Sequence, residues 1–113
     1  MNPGDVVLVR LPQVGASPVK LRPALFLTTL PGPYQDGLLC GISTRLQNTL
    51  PNWDELIQPG DTDFAASGLI QASVIRLSYL RAVTSAEIIG LIGTIDPSRL
   101  LRVRQHLSDY LRP

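Results

Sequence analysis

The sequence predicts a mainly β protein completed by one C-terminal helix. Apolar, β-branched runs of strand length recur along most of the 113 residues. Ten Pro and nine Gly are spread between those runs rather than clustered, which suits short strands joined by tight turns. Only the last stretch carries a sustained helical period.

The elements follow in order. Asp5-Val-Val-Leu-Val-Arg10, opened by Gly4, is a near-continuous apolar run and predicts a central strand. Leu11 to Lys20 is too rich in Pro, Gly and Ser for regular structure and predicts a loop suited to substrate contact. Pro23 to Thr29 is the second strand, with Pro at its first residue, where no ladder donor is lost. After the turn cluster Pro31–Gly37, Leu38 to Ser43 is a third, buried strand. Asn52 to Gln58 predicts a short edge strand, and Gly60 to Gly68 an exposed loop. Ala72 to Leu77 is a strand, and Tyr79 to Thr84 reads as a turn or short strand. Glu87 to Ile95 is a long apolar strand in which Gly90 and Gly93 suggest bends or a bulge. Asp96 is a good N-cap and Pro97 fits the first helical position, so a helix follows to Tyr110. Leu100, Leu101, Val103, Leu107, Tyr110 and Leu111 share one face, which should pack on the sheet or close one end of a barrel.

Composition excludes several classes. Hydrophobic residues make up 44% and charged residues 17%, too apolar for a disordered chain. The length fits a single domain, 1–113. No apolar run approaches bilayer-spanning length, and no basic start with an apolar core marks a leader, so a cytoplasmic protein without membrane contact is expected. Cys40 has no second cysteine to pair with and sits among apolar residues, as a buried thiol would. His106, the one histidine, lies on the flank of the helix and reads as a surface residue. One His and one Cys make no transition-metal set, so no metal and no cofactor are expected. Asp61-Thr-Asp63 reads as a solvated loop before it reads as a hard-cation site. No phosphate-cradling Gly motif is present. Net charge is only +1, but nine of the ten basic residues are Arg, whose planar fork suits phosphate. The acidic run from Asp54 to Asp63 should keep any RNA track elsewhere.

In its order of motifs the chain resembles the MazF/PemK toxins. Gly4-Asp5-Val-Val-Leu-Val matches the family's opening strand, and Pro12, Gly15 and Arg22-Pro23-Ala24 follow at the family's spacing. Ser67-Gly68-Leu69, then Ser73-Val-Ile-Arg76-Leu-Ser-Tyr-Leu-Arg81-Ala-Val83, is similar to the family's penultimate region. Ile92-Gly93-Thr-Ile95 leading into a closing helix is similar as well. The resemblance implies a small SH3-like β-barrel of the CcdB/Kid/MazF type with a C-terminal helix. It also implies a homodimer that cuts single-stranded RNA without a metal, through attack of a ribose 2′-hydroxyl on the adjacent phosphorus. A cognate antitoxin would neutralise it by occupying the RNA groove.

The resemblance places functional residues too. Arg22 falls at the family's catalytic arginine, where it would stabilise charge on the phosphorane. By residue type alone it is a surface arginine at a strand start. The family's catalytic Thr falls on Ser43, or on Thr44 with a one-residue shift. Arg76 matches the arginine of the PemK-like branch, as a second phosphate ligand or acid. Ser17, Lys20 and Arg45 are further RNA contacts beside these positions. The pattern departs where the family carries acids. The first loop reads Gly15-Ala-Ser17-Pro18 where many relatives have Gly-Ser-Glu-Gln, and Ser78 stands where the PemK-like branch has Asp. A toxin-fold module that binds antitoxin or RNA without cutting is therefore an alternative, and a CcdB-like gyrase poison is another because the resemblance implies a barrel that CcdB toxins share.

Overall fold

The computed structural model describes residues 1–11 and 20–112, in which six strands form one antiparallel sheet. The strands are β1 (Asp5–Leu11), β2 (Lys20–Thr29), β3 (Gly37–Ser43), β4 (Glu55–Ile57), β5 (Ser73–Val83) and β6 (Ile88–Thr94). Their order across the sheet is β4-β5-β3-β2-β1-β6, which leaves β1 interior, as its apolar run predicts. The ends of the sheet, β4 and β6, are not hydrogen-bonded to each other, so the sheet is open. Two helices accompany it, α1 (Phe64–Ser67) and α2 (Pro97–Leu111).

Strict alternation along the strands buries both faces of the sheet. Val6, Leu25, Leu27, Cys40, Ile42, Ile75 and Leu77 point to one face and make the larger core, closed by Ile95 and Val103 of the C-terminal segment. Val7, Val9, Ala24, Phe26, Leu39 and Val83 point to the other and make a second, smaller layer. Leu100 and Leu107 of α2 pack on the first core beside Val103. The rest of the expected helix face does not: Leu101, Tyr110 and Leu111 are exposed. Leu101 lies on the side of α2 turned away from Val103 and Leu107, Tyr110 and Leu111 belong to its last turn, and the inward side also carries a polar residue, Arg99. Tyr110 instead packs its ring edgewise on Trp53, with centroids 5.0 Å apart.

Arg99 is 7% exposed, and its five N–H donors all have partners. Its Nε and Nη2 grip Asp63 at 2.8 and 3.0 Å, Nη2 also reaches Asp61, and Nη1 reaches Glu55 and the Leu56 carbonyl. Glu55 is held from outside by Arg102 at 2.7 Å. This corrects two expectations. Gly60 to Gly68 is not an exposed loop, since it contains α1 and buries Asp63 and Ser67. Asp61 and Asp63 are not solvated acids but the partners of an internal arginine. Asp96 holds the N-cap position of α2 but makes no side-chain cap; its carboxylate accepts the Thr62 hydroxyl at 2.6 Å.

Register irregularities in β6 and β5 shape the sheet, beside a one-residue slip in β2 between Phe26 and Thr28. In β6 the register slips between Val6 and Val7 and again between Leu8 and Val9, realising the bulge that Gly90 and Gly93 suggest. At Gly93 a Cβ would run into the backbone of Ala66 and Ser67, and at Gly68, whose φ is +76°, into the Ile92 carbonyl. Glycine at both positions lets α1 lie directly against β6. In β5 the pairing jumps from Cys40↔Leu80 to Gly41↔Arg76, so Leu77, Ser78 and Tyr79 are looped out of the ladder. Asp54 pins this excursion by accepting the Leu77 N–H, and the Trp53 indole donates to Ser78 Oγ at 2.9 Å. Tyr79 to Thr84, open between turn and strand in the sequence, thus continues β5 as far as Val83.

Replacing Arg99 with Met should cost about 3–5 kcal/mol, because it strands buried Asp63 without its partner; urea denaturation checks this. The Arg99 hydrogen bonds hold the Asp63 carboxyl below its ordinary value of 3.8. Its contribution to stability is therefore complete above that value and is lost as pH falls through the lower, folded one. Urea midpoints should drop between pH 5 and pH 2 (roughly the span of such a linkage) and drop less in Asp63→Asn. Burial pushes the Cys40 thiol up to about 12, with the Asp54 charge adding to the effect. A thiol reagent at pH 8 should label Cys40 only in denaturant; rapid labelling of the native protein would contradict this burial.

Candidate functional site

The site grows out of the second face of the sheet. Cross-strand partners share a face, so Val7, Ala24, Gly41 and Arg76 form one row across β1, β2, β3 and β5. Two residues further along β2 and β3 come Arg22 and Ser43. Two residues back along β3 comes Leu39, flanked by Phe26 and Arg81. Successive rows lie about 7 Å apart, the rise of two strand residues. The small residues of the middle row, Ala24 and Gly41, leave a hollow between the flanking rows. The result is a groove of about 510 Å³ with Val9, Ala24 and Leu39 in its lining and four arginines, Arg22, Arg45, Arg76 and Arg81, around it.

The structure brings together four of the residues singled out from sequence: Arg22, Ser43, Arg45 and Arg76 all line the groove. It separates the alternatives at the end of β3. Ser43 lines the groove, whereas Thr44 is exposed and outside its lining, as alternation of faces requires. Lys20, exposed at the start of β2, does not line it either. Ser17 lies outside the described residues. His106 is half-buried on α2, with Nδ1 3.2 Å from the Trp53 carbonyl oxygen, and is remote from the groove lining rather than a free surface residue.

Sequence reasoning missed Arg81 and Tyr79. A regular strand puts residues five apart on opposite faces, so Arg81 should point away from Arg76. The three residues looped out of β5 reverse that parity and bring both to the same groove. No sequence pattern announces a three-residue excursion.

Polar atoms in the groove are incompletely engaged. Arg81 Nη2 donates to Glu87 at 2.8 Å, while its Nη1 and Arg76 Nε, both buried, have no hydrogen-bond partner among the described residues. Glu87 is itself fixed by a capping box with Thr84, whose backbone N–H it accepts at 2.8 Å. Arg76 lies 4.7 Å from the centre of the Tyr79 ring. Ser43 Oγ accepts the Arg45 N–H at 3.1 Å, which leaves its O–H to donate into the groove. Among the described residues no carboxylate and no imidazole lines the groove, and no cluster of metal-ligating side chains occurs. Glu55, Asp61 and Asp63 sit on the opposite flank, paired to Arg99 and Arg102, and Asp54 is tied to backbone N–H groups. A net charge near zero is thus split into a cationic groove and an internally neutralised acidic flank. Such an arrangement can bind and stabilise a phosphate-bearing polyanion.

Comparison with known proteins agrees with this architecture. A search of curated proteins finds no match. Among solved structures the chain is similar to the toxin MazF-mt6 of Mycobacterium tuberculosis, with a TM-score of 0.68 and 18% identity over 93% of each chain. At that identity the likeness concerns the fold, an antiparallel sheet with a C-terminal helix. The sequence model of the PemK-like, MazF-like toxins of type II toxin-antitoxin systems matches residues 2–111. With nearly its whole length inside that match, the chain belongs to the PemK/MazF family of type II toxins.

Proposed function

We propose that the protein is a toxin that cleaves single-stranded RNA in the groove of β2, β3 and β5, without a metal. The observation that carries this reading is the convergence of Arg22, Ser43, Arg45 and Arg76, drawn from three separate parts of the chain, on one groove. The ribose 2′-oxygen would attack the adjacent phosphorus, the bond to the 5′-oxygen would break, and a cyclic phosphate would remain. Two negative charges then develop on the equatorial oxygens, and the guanidinium groups of Arg22 and Arg76 offer fixed donors to them. Ser43 adds an O–H donor whose rotation is restricted by the Arg45 N–H. The proton must pass from the 2′-hydroxyl to the leaving oxygen, and among the described residues Ser43 and Tyr79 are the hydroxyl groups lining the groove. The site's strength is therefore electrostatic rather than acid–base.

The same surface suits a cognate antitoxin, which would compete with RNA by presenting acidic groups to the arginines. A homodimer in the cytoplasm completes the proposal. The lack of a carboxylate among the described groove residues favours a second reading, a module that binds RNA or antitoxin and leaves RNA intact.

Purified protein incubated with a long RNA in EDTA should cut at a short recurring sequence. Arg22→Ala should lower the rate by about 10²–10³-fold, the usual effect of deleting a transition-state donor. Ser43→Ala should also slow cleavage, whereas Thr44→Ala should leave it near the parent rate. Retained, uncut RNA with folded protein would favour the binding module, and loss of both cutting and binding would reject the RNA reading.

A further inference from the structure

Tyr79 is an unusual residue to expose in this fold. Its side chain borders the groove and is 59% exposed, although the chain carries only six aromatic residues of Phe, Trp and Tyr type. Its position is imposed. The excursion of Leu77, Ser78 and Tyr79 from the β5 ladder is pinned twice, by Asp54 at Leu77 and by the Trp53 indole at Ser78. Gly41 lies directly beneath it, where an added Cβ would come within 3.2 Å of Tyr79 Cβ. Absence of a side chain at Gly41 is what lets the tyrosine stand on the groove floor. The Arg76 guanidinium lies 4.7 Å from the ring centre and occupies one side of the ring, while the residue as a whole stays 59% exposed. No other aromatic ring lines the groove among the described residues.

We infer that Tyr79, braced by Arg76 and seated on Gly41, is a stacking platform for one base of a single-stranded RNA. The inference deepens the RNA reading above and rests on it. Sequence-tolerant single-strand binding combines a cationic track for the backbone with an aromatic face for a base, because every base has a π-face. The groove supplies both parts. Arg76 and Arg81 occupy successive rows about 7 Å apart, both guanidinium groups border the groove, and Tyr79 stands between them in the sequence. Bracing matters because a ring already held in place loses little freedom when a base stacks on it. Platform and phosphate donor are coupled through the one residue Arg76, so a stacked base would position its own phosphate at the guanidinium.

The test is a double-mutant cycle between ring and base. The probes are fluorescein-labelled nonamers of several mixed sequences with 2′-fluoro sugars, which lack the attacking hydroxyl. An abasic site is walked through the tightest binder, and affinity is read by fluorescence anisotropy. Tyr79→Leu should weaken binding by about 5- to 150-fold, the range of a single base–aromatic stack, while Tyr79→Phe and Tyr79→Trp keep it. An abasic site at one position should cost as much, and Tyr79→Leu with that probe should lose no more than either change alone. Losses that multiply at every position would overturn the inference, as would a Tyr79→Leu variant that binds like the parent or a Trp variant as weak as Leu. A parent protein that binds none of the nonamers would reject the RNA reading itself, a distinct result.

Discussion

Arg99 holds together parts of the chain that the sheet alone does not join. Its guanidinium reaches β4 through Glu55 and the Leu56 carbonyl, and the turn into α1 through Asp61 and Asp63, from the first turn of α2. These segments flank the first core, and the ion cluster is the main polar tie between them and the helix, beside the His106–Trp53 carbonyl contact. A charge so deeply buried is tolerable only when every donor is used. Here each is, and the guanidinium stays protonated: burial opposes its charge, but the hydrogen bonds and charge of Asp63 outweigh that and raise its pKa. The register of α2 follows. Turning Arg99 inward orients Val103 and Leu107, four and eight residues on, to the core and sends Leu101 to the surface.

The consequences extend to the opposite face. Because Arg99 and Arg102 gather Glu55 and the Asp61–Asp63 acids on one flank, the arginines of the groove face little competition from carboxylates. Glu87 is the exception, and it engages only one side of the Arg81 guanidinium. A protein with a net charge of +1 can therefore offer a polyanion a locally cationic surface. This segregation, more than total charge, is what the proposed RNA binding requires.

A second device, the excursion in β5, determines what the groove contains. Looping out three residues changes the facing parity of everything beyond it, which places Arg81 beside Arg76 and lifts Tyr79 over Gly41. Asp54 anchors the excursion and also closes the turn before β4 by accepting the Leu50 N–H. One buried carboxylate thus links the edge strand to the groove, and its charge adds to the burial that keeps the neighbouring Cys40 thiol inert.

Strand positions were legible in the sequence because half-buried β structure writes itself as apolar alternation and glycine punctuation; β1, β3 and β6 fall within a residue or two of their expected limits. The closing helix, the bulge in β6 and the family resemblance were equally legible, as were Arg22, Arg45 and Arg76 as candidates, since local pattern and motif spacing carry them. What lies across space was not legible. The choice of Ser43 over Thr44 for the groove, the arrival of Arg81 and Tyr79, and the burial of Asp63 against Arg99 depend on register and on which helix face turns inward. Those are settled by packing between segments far apart in the chain, where a one-residue slip or a single buried ion pair reverses what any local pattern implies.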